Sequence, residues 1–347
     1  MYFFEEYQYD QLELLKKDWE ELAKGKDMTI YQSYDWYLML RSYSLKDNIL
    51  HTNTFAVCRN EHKEIVLIAP LWILHHSICW PFNRKGIYLL GRDASSDYLN
   101  FIYSNFQASA FDFLLLQLSR KYHIHTFKFE LLKEGTALYN HIKKKTIIRD
   151  HRLLCVSLSL PASEEDYLKS LSKSSKQNLR TANNRLNKDG KQIVFVIDDI
   201  AMDKSLCLKI KNSRLKKKNY EPKKTIAIKN WLFKKLTISF PKYDPFLTDV
   251  DTHIMSAYCD GELAAFFNYG IDPYRNCIYI FTAGTNEKFA RYSPGMLLMY
   301  EYIKHIITNN KEFSVIDFTR GNEHYKYALG GENHIIHSIR FIVKNDS

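Results

Sequence analysis

Residues 277–298, CIYIFTAGTNEKFARYSPGMLL, carry the reading of this chain. An apolar strand pattern, Cys277–Ala283, gives way to a polar turn, then to Pro294, Gly295 and a helical run. Proline suits a first helical turn because it lacks the N–H that would go unpaired there. The adjacent glycine lets backbone approach a ligand closely. The free N–H groups and positive dipole of a helix start bind phosphate, and Arg291 can add a charge-assisted contact. A plain Pro/Gly helix cap gives the same pattern, so the stretch has to be weighed with its surroundings.

Working outward, residues 252–270 read as a hairpin around Asp260-Gly261, the strongest short hairpin signal. Downstream come a strand at 314–318, a short helix at 323–329 and a strand at 334–343. The first half runs the same way. TFAVCRNEHKEIVLIAPLWI (54–73) parallels HIMSAYCDGELAAFFNYGI (253–271) as strand, turn, strand. FDFLLLQLSRKYHIHTFKFELL (111–132) parallels LLMYEYIKHIITNNKEFSVIDFT (297–319) as helix, turn, strand. Agreement over several elements in order points to an internal duplication. The fold expected is α/β (α+β), two tandem units at 1–150 and 151–347, each a mixed, mostly antiparallel sheet flanked by helices. The length, 347 residues, agrees, since one core rarely exceeds about 250–300 residues. Further expectations are a helix at 11–23, a strand at 98–103, one long helix from Ser163 to Asp189, and basic helices at 204–218 and 226–239.

Charge is uneven. The chain carries +10 overall, but residues 169–235 hold 19 Lys/Arg against 5 Asp/Glu, and the remainder is net −4. A localised positive field suits a polyanion, and a lysine-rich solubilising surface gives the same count. No stretch reaches about 18 uncharged apolar residues, so no transmembrane helix is expected. MYFFEEYQYD is acidic and unlike a signal peptide. Six scattered cysteines without CxxC spacing read as reduced thiols of a cytoplasmic protein, with no zinc site.

The second polar concentration is Asp317–Lys326, DFTRGNEHYK, at the end of a predicted strand, where open α/β sheets present ligand-facing residues. Asp317 or Glu323 can act as base and Tyr325 as acid. Lys326 can hold a phosphate or polarise a carbonyl; an ordinary solvated loop with a salt bridge is the bland alternative. Lys173, Lys176 and Arg180 share a helix face as a stripe for a phosphorylated acceptor, or simply as a solvated face. GRDASSDY (91–98) occupies the place of the Pro-Gly turn in the first half but has no glycine at the helix start. It leaves Asp97 and Tyr98 as polar contacts to an acceptor. The pairs His123/His125 and His334/His337 are read as core or surface histidines, since nothing completes a metal set.

These segments resemble those of the CelD-like acetyltransferases, a group of the GNAT superfamily associated with cell-surface polysaccharide synthesis. YQSYDWYLM (31–39), SSDYLNFIY (95–103), KSSKQNLRTANNRLNKDG (173–190), YSPGMLLMYEYI (292–303) and IDFTRGNEHYKYALG (316–330) carry the resemblance, the last two most specifically. It implies two GNAT units with acyl-coenzyme A (acetyl-coenzyme A) as co-substrate in the second. It marks Tyr292, Ser293, Pro294 and Gly295 as the pyrophosphate turn, flanked by Arg291 and Met296. It marks Asp317, Arg320, Glu323, Tyr325 and Lys326 as the active-site segment, with Arg320 toward the substrate. Of the common GNAT glycine pattern only Gly295 is present, preceded by Pro294. The double-unit architecture is also similar to Fem-type aminoacyl transferases, which take amino acids from transfer RNA.

The expected function is N-acyl transfer to an amine acceptor, such as an amino sugar or nucleotide-sugar. A backbone N–H near Ala283 would polarise the thioester, Glu323 or Asp317 would take the amine's proton, Tyr325 would protonate the thiolate, and Lys326 would anchor the acceptor. The alternatives are aminoacyl transfer from transfer RNA, and a non-catalytic scaffold in peripheral contact with an anionic membrane.

Overall fold

The computed structural model describes residues 1–43, 51–76, 85–91, 96–217 and 252–343. The expected helix at 226–239 and residues 92–95 of GRDASSDY lie outside them. The chain forms two compact units, divided at Leu153/Leu154. The first also takes in the stretch from Ile335 onward; the second reaches to His334.

In the first unit the described elements are β1 (Phe3–Tyr7), α1 (Lys16–Leu22), α2 (Tyr34–Tyr43), β2 (His51–Arg59), β3 (Ile65–Leu74), β4 (Gly86–Leu89), α3 (Ala108–Tyr122), β5 (Thr126–Lys133) and α4 (Ala137–Ile142). β6 (Thr146–Ser159) leads into the second unit. There follow α5 (Glu164–Ser170), α6 (Lys173–Lys188), β7 (Ile193–Val196), α7 (Lys204–Lys217), β8 (His253–Cys259), β9 (Glu262–Asp272), β10 (Cys277–Thr285), α8 (Pro294–Asn309), β11 (Val315–Arg320), α9 (His324–Ala328) and β12 (Glu332–Ile342).

The sheet of the first unit runs β1-β2-β3-β4-β5-β12, with only β4–β5 parallel. That of the second runs β7-β8-β9-β10-β11-β6, with only β10–β11 parallel. The two patterns are identical. They share irregularities as well. Each hairpin has one extra residue on its second strand near the turn, Val66 opposite the step Cys58/Arg59 and Ala264 opposite the step Ala257/Tyr258. β5 gains a residue between Phe129 and Leu132, and β11 gains one between Asp317 and Arg320. Each of these bulges contains a left-handed residue, Leu131 (φ 61°) or Thr319 (φ 57°). Bulges re-aim a strand locally, and their recurrence pairs Phe129 with Asp317 as equivalent positions.

Each unit is a mixed, mostly antiparallel sheet flanked by helices. In the second, α8 buries Leu297, Leu298, Tyr302, Ile303 and Ile306 against Ile278, Ile280, Ile316 and Phe318. Positions three and four apart on the helix meet alternate positions on the strands. The closing strand, placed by sequence within residues 151–347, pairs with β5 of the first unit through Ile336–Ile342.

Three elements differ from the sequence reading. The stretch 98–103 is not a strand: Tyr98 is left-handed (φ 52°), and only an isolated bridge, Ile68↔Ile102, forms there. The helix expected over 163–189 breaks at extended Leu171, because Ser172 starts a second helix by accepting the Ser175 N–H. Hydroxyl residues favour such caps over helix interiors. The helix expected at 11–23 begins as a 3-10 turn, Tyr9–Leu15, before α1.

Candidate active site in the second unit

β10 and β11 are paired from Cys277↔Val315 only as far as Tyr279↔Asp317. Beyond that rung β10 continues to Thr285, bulged at Phe281 between Ile280 and Thr282, and β11 turns away through left-handed Thr319. The Thr319 hydroxyl bonds back to the Ile280 carbonyl at 3.1 Å. A parallel pair that parts in this way leaves backbone groups of its inner strand without a ladder partner.

A cavity of about 160 Å³ lies along this free end of β10. Its walls are Phe266 and Phe267 of β9, Ala283–Thr285 of β10, Ser293, Gly295, Met296 and Met299 at the start of α8, and Tyr325 of α9. The sharp entry to α8 is made by Ser293, left-handed at φ 50°, whose carbonyl accepts the N–H groups of Met296 (3.0 Å) and Leu297 (3.1 Å). At Gly295 a Cβ would stand 2.6 Å from Thr285 Oγ1, so any larger residue would force the Thr285 side chain to move. Pro294 occupies the first helical turn, as its missing N–H requires.

The turn before α8 is tied to the C-terminal end of α6. Tyr292 donates its hydroxyl to Asp189 Oδ2 at 2.6 Å, which raises the phenol's pKa. Arg291 Nη2 lies 3.1 Å from the same oxygen, so its guanidinium is directed to Asp189. Arg185 donates to the Arg291 carbonyl at 2.8 Å. Sequence reasoning missed Arg185 and Asp189 because it looked for function at the other end of that helix. Lys173 and Arg180 are exposed and Lys176 is half-buried, with its ammonium 3.4 Å from the Lys169 carbonyl; none lines the cavity. Phe266, Phe267, Gly284, Thr285 and Met299 were missed too. The run of small residues Ala283-Gly284-Thr285 at a strand end was the signal for part of that wall.

The Asp317–Lys326 segment is brought to the same place, but its members are sorted. Tyr325 faces the cavity, with its ring edge-on to Phe318 (centroids 6.4 Å apart). Asp317 is buried and accepts the Thr319 N–H at 2.7 Å. Lys326 is 3% exposed. Its ammonium donates to the carbonyls of Arg320 (2.8 Å) and Gly321 (3.2 Å) and lies 3.0 Å from Glu323 Oε2. It is therefore placed to hold the loop, not to reach an acceptor, and Glu323 is drawn into the same tie. Gly321 is left-handed (φ 108°), and a Cβ there would stand 2.5 Å from that Glu323 oxygen. Arg320 is exposed. In the first unit Asp97 and Tyr98 are 5% and 2% exposed. They are built into that unit's interior, where Gln32 donates to the Tyr98 carbonyl at 2.9 Å.

Comparison with known proteins agrees with this architecture. Residues 173–327 match the family described as acetyltransferase (GNAT) domain, a span that holds the whole cavity. No curated protein gives a significant match. Among solved structures the chain is similar to FemX, at 9% identity and TM-score 0.59, covering 98% of this chain and 97% of that one. It is similar to a conserved protein of unknown function from Bacteroides thetaiotaomicron VPI-5482, at 10% identity and TM-score 0.54, over 99% and 100% of the two chains. The C-terminal domain of a putative lysylphosphatidylglycerol synthetase from Agrobacterium fabrum matches at 10% identity and TM-score 0.52, over 94% and 92%. At such identities the likeness is one of fold. Among the described residues no helix is long and apolar enough to cross a membrane.

Proposed function

We propose that the chain is an N-acyltransferase that takes its acyl group from acyl-coenzyme A in the second unit and passes it to an amine. The observation that carries this reading is the cavity at the parting of β10 and β11, walled by the start of α8, where Gly295 packs closely on Thr285, and by Tyr325. The first N–H groups of a helix have no intrahelical partner and favour anions. The α8 start, Ser293–Met296, thus suits the pyrophosphate of the donor. Phe266, Phe267, Met296 and Met299 give the apolar wall for its thioester arm. A backbone N–H of β10 near Ala283 polarises the thioester carbonyl, because the parted strand offers it no ladder partner. Tyr325 gives its phenolic proton to the departing thiolate.

The first unit serves as a scaffold in this reading. Its α3 starts after Gln107 in ordinary extended geometry, without proline, glycine or a left-handed residue. At the position of Asp317 it carries Phe129, packed on Phe101 and Phe341 with centroids 5.2 Å away. The CelD-like segments favour an amino sugar or nucleotide-sugar of surface polysaccharide synthesis as acceptor.

A second reading, aminoacyl transfer from transfer RNA, is favoured by the near full-length likeness to FemX and by the +14 charge of residues 169–235. Calorimetric titration with acetyl-coenzyme A separates the two. Micromolar binding that is lost in Gly295→Trp supports the donor site. Absence of binding, together with steeply salt-dependent binding of charged transfer RNA, supports the second reading.

A further inference from the structure

Strand alternation sorts the central strands of the second unit into two faces. Val156, Leu158, Ile278, Ile280, Ile316 and Phe318 belong to the core that α8 covers. Ser157, Tyr279 and Asp317 alternate with them and so point to the opposite face. The register sets these three in one row: Tyr279 is the parallel partner of Asp317, and Asp317 is the antiparallel partner of Ser157. The row is the last rung that joins β10 to β11, at the mouth of the gap between them.

His334, at the start of β12, stands over this row. Its Nδ1 is 3.4 Å from Ser157 Oγ, and its Nε2 is 3.7 Å from Asp317 Oδ2. The carboxylate is 4% exposed and the imidazole 21%. Both ring nitrogens thus face protein partners, Nδ1 the Ser157 hydroxyl and Nε2 the buried Asp317 carboxylate, while part of the ring still meets solvent. The Thr319 N–H fixes the other Asp317 oxygen at 2.7 Å, so the carboxylate has little freedom to swing away. A donor seated beneath α8 reaches the gap from one face of the sheet. An acceptor that does not cross the donor has to reach it from the other, and that is the face of His334.

We propose that His334 is the group that takes the acceptor's proton, and that Asp317 is a positioning residue that orients it and stabilises its charged form; this rests on the acyl-coenzyme A reading. In the step, the amine's lone pair forms the new C–N bond, one N–H proton passes to the Ser157 hydroxyl, and the hydroxyl's own proton passes to His334 Nδ1, 3.4 Å away. The C–S bond breaks, and the thiolate takes the proton of Tyr325. The proton on His334 returns to Tyr325 through solvent, leaving amide and free thiol. A carboxylate that holds a histidine in one orientation while it works as base is a recurring arrangement. Asp317 and His334 stand on different strands, β11 and β12, so the pairing is invisible without the fold.

The test follows thiol release from acetyl-coenzyme A with two acceptors. One is glucosamine. The other is hydroxylamine, which is unprotonated at neutral pH and depends far less on a base. His334→Gln is expected to lower kcat with glucosamine by about 10²-fold or more, with the KM for acetyl-coenzyme A and the hydroxylamine rate nearly unchanged. Asp317→Asn should show the same split more weakly, and imidazole should restore glucosamine turnover to His334→Ala. Full glucosamine turnover in His334→Gln overturns the proposal, as does an equal loss with both amines. Wild-type protein that binds acetyl-coenzyme A but releases thiol with neither amine overturns the base assignment and leaves the donor site standing. Absence of binding overturns the donor reading and this proposal with it.

Discussion

Lys326 shows what burial does to a residue that sequence offers as chemistry. An ammonium with 3% exposure has left water, and the Arg320 and Gly321 carbonyls and Glu323 stand in for its hydration. Those contacts close the loop between β11 and α9 and so set where Tyr325 stands. Lys326→Met should cost about 3–5 kcal/mol, since it leaves a carboxylate and several carbonyls without their cation. Lys326→Arg should recover little of this, because a planar guanidinium does not fit a pocket shaped for a point charge. Urea denaturation reads both. A Lys326→Met protein with an unchanged midpoint and no turnover would return the residue to the reaction itself. The segment's place in the site was legible from sequence. Its division of labour was not, because Asp317, Glu323, Tyr325 and Lys326 are told apart only by what surrounds them.

Among the elements, β12 carries the most consequential side chain outside the site. His337 is fully buried in the first unit, 2.8 Å from Asp150 Oδ1 and tilted against the Tyr139 ring with centroids 4.6 Å apart. Lys143 reaches the other Asp150 oxygen at 3.1 Å. Burial pushes the Asp150 carboxyl up, but the hydrogen bonds from His337 and Lys143 outweigh it and hold the pKa below the ordinary carboxylate value. A carboxyl depressed by folding contributes stability above its unfolded pKa, and that contribution is lost as pH falls through the folded one. Urea midpoints measured from neutral pH into the acid range should therefore fall, and Asp150→Asn should flatten the fall. His337→Ala should cost about 3 kcal/mol at neutral pH; a loss near zero would mean that the pair is dispensable. Helices and hairpins were legible in the sequence because their periods are local. The partner of β12 was not, since pairing across 200 residues leaves no local trace. Nor was the break at Leu171, where one serine cap overrides a continuous helical pattern.

At the scale of the whole chain, the matching strand orders and matching bulges make the two units versions of one plan, and the differences between them locate the chemistry. Where the second unit has a nine-residue β10, a left-handed Ser293 and Gly295, the first has a four-residue β4 and an ordinary helix start at Gln107. Where the second has Asp317, the first has the fully buried ring of Phe129. An aromatic side chain at that position fills the space in which a carboxylate would need polar partners. Calorimetry should then give one acetyl-coenzyme A per chain, and Gly295→Trp should abolish that event without exposing a second, weaker one. A stoichiometry of two, or a binding event that survives Gly295→Trp, would place a donor in the first unit. It would also mean that the extended start of α3 holds a pyrophosphate without glycine. The duplication would then have kept two sites, where the residues that differ between the units point to one.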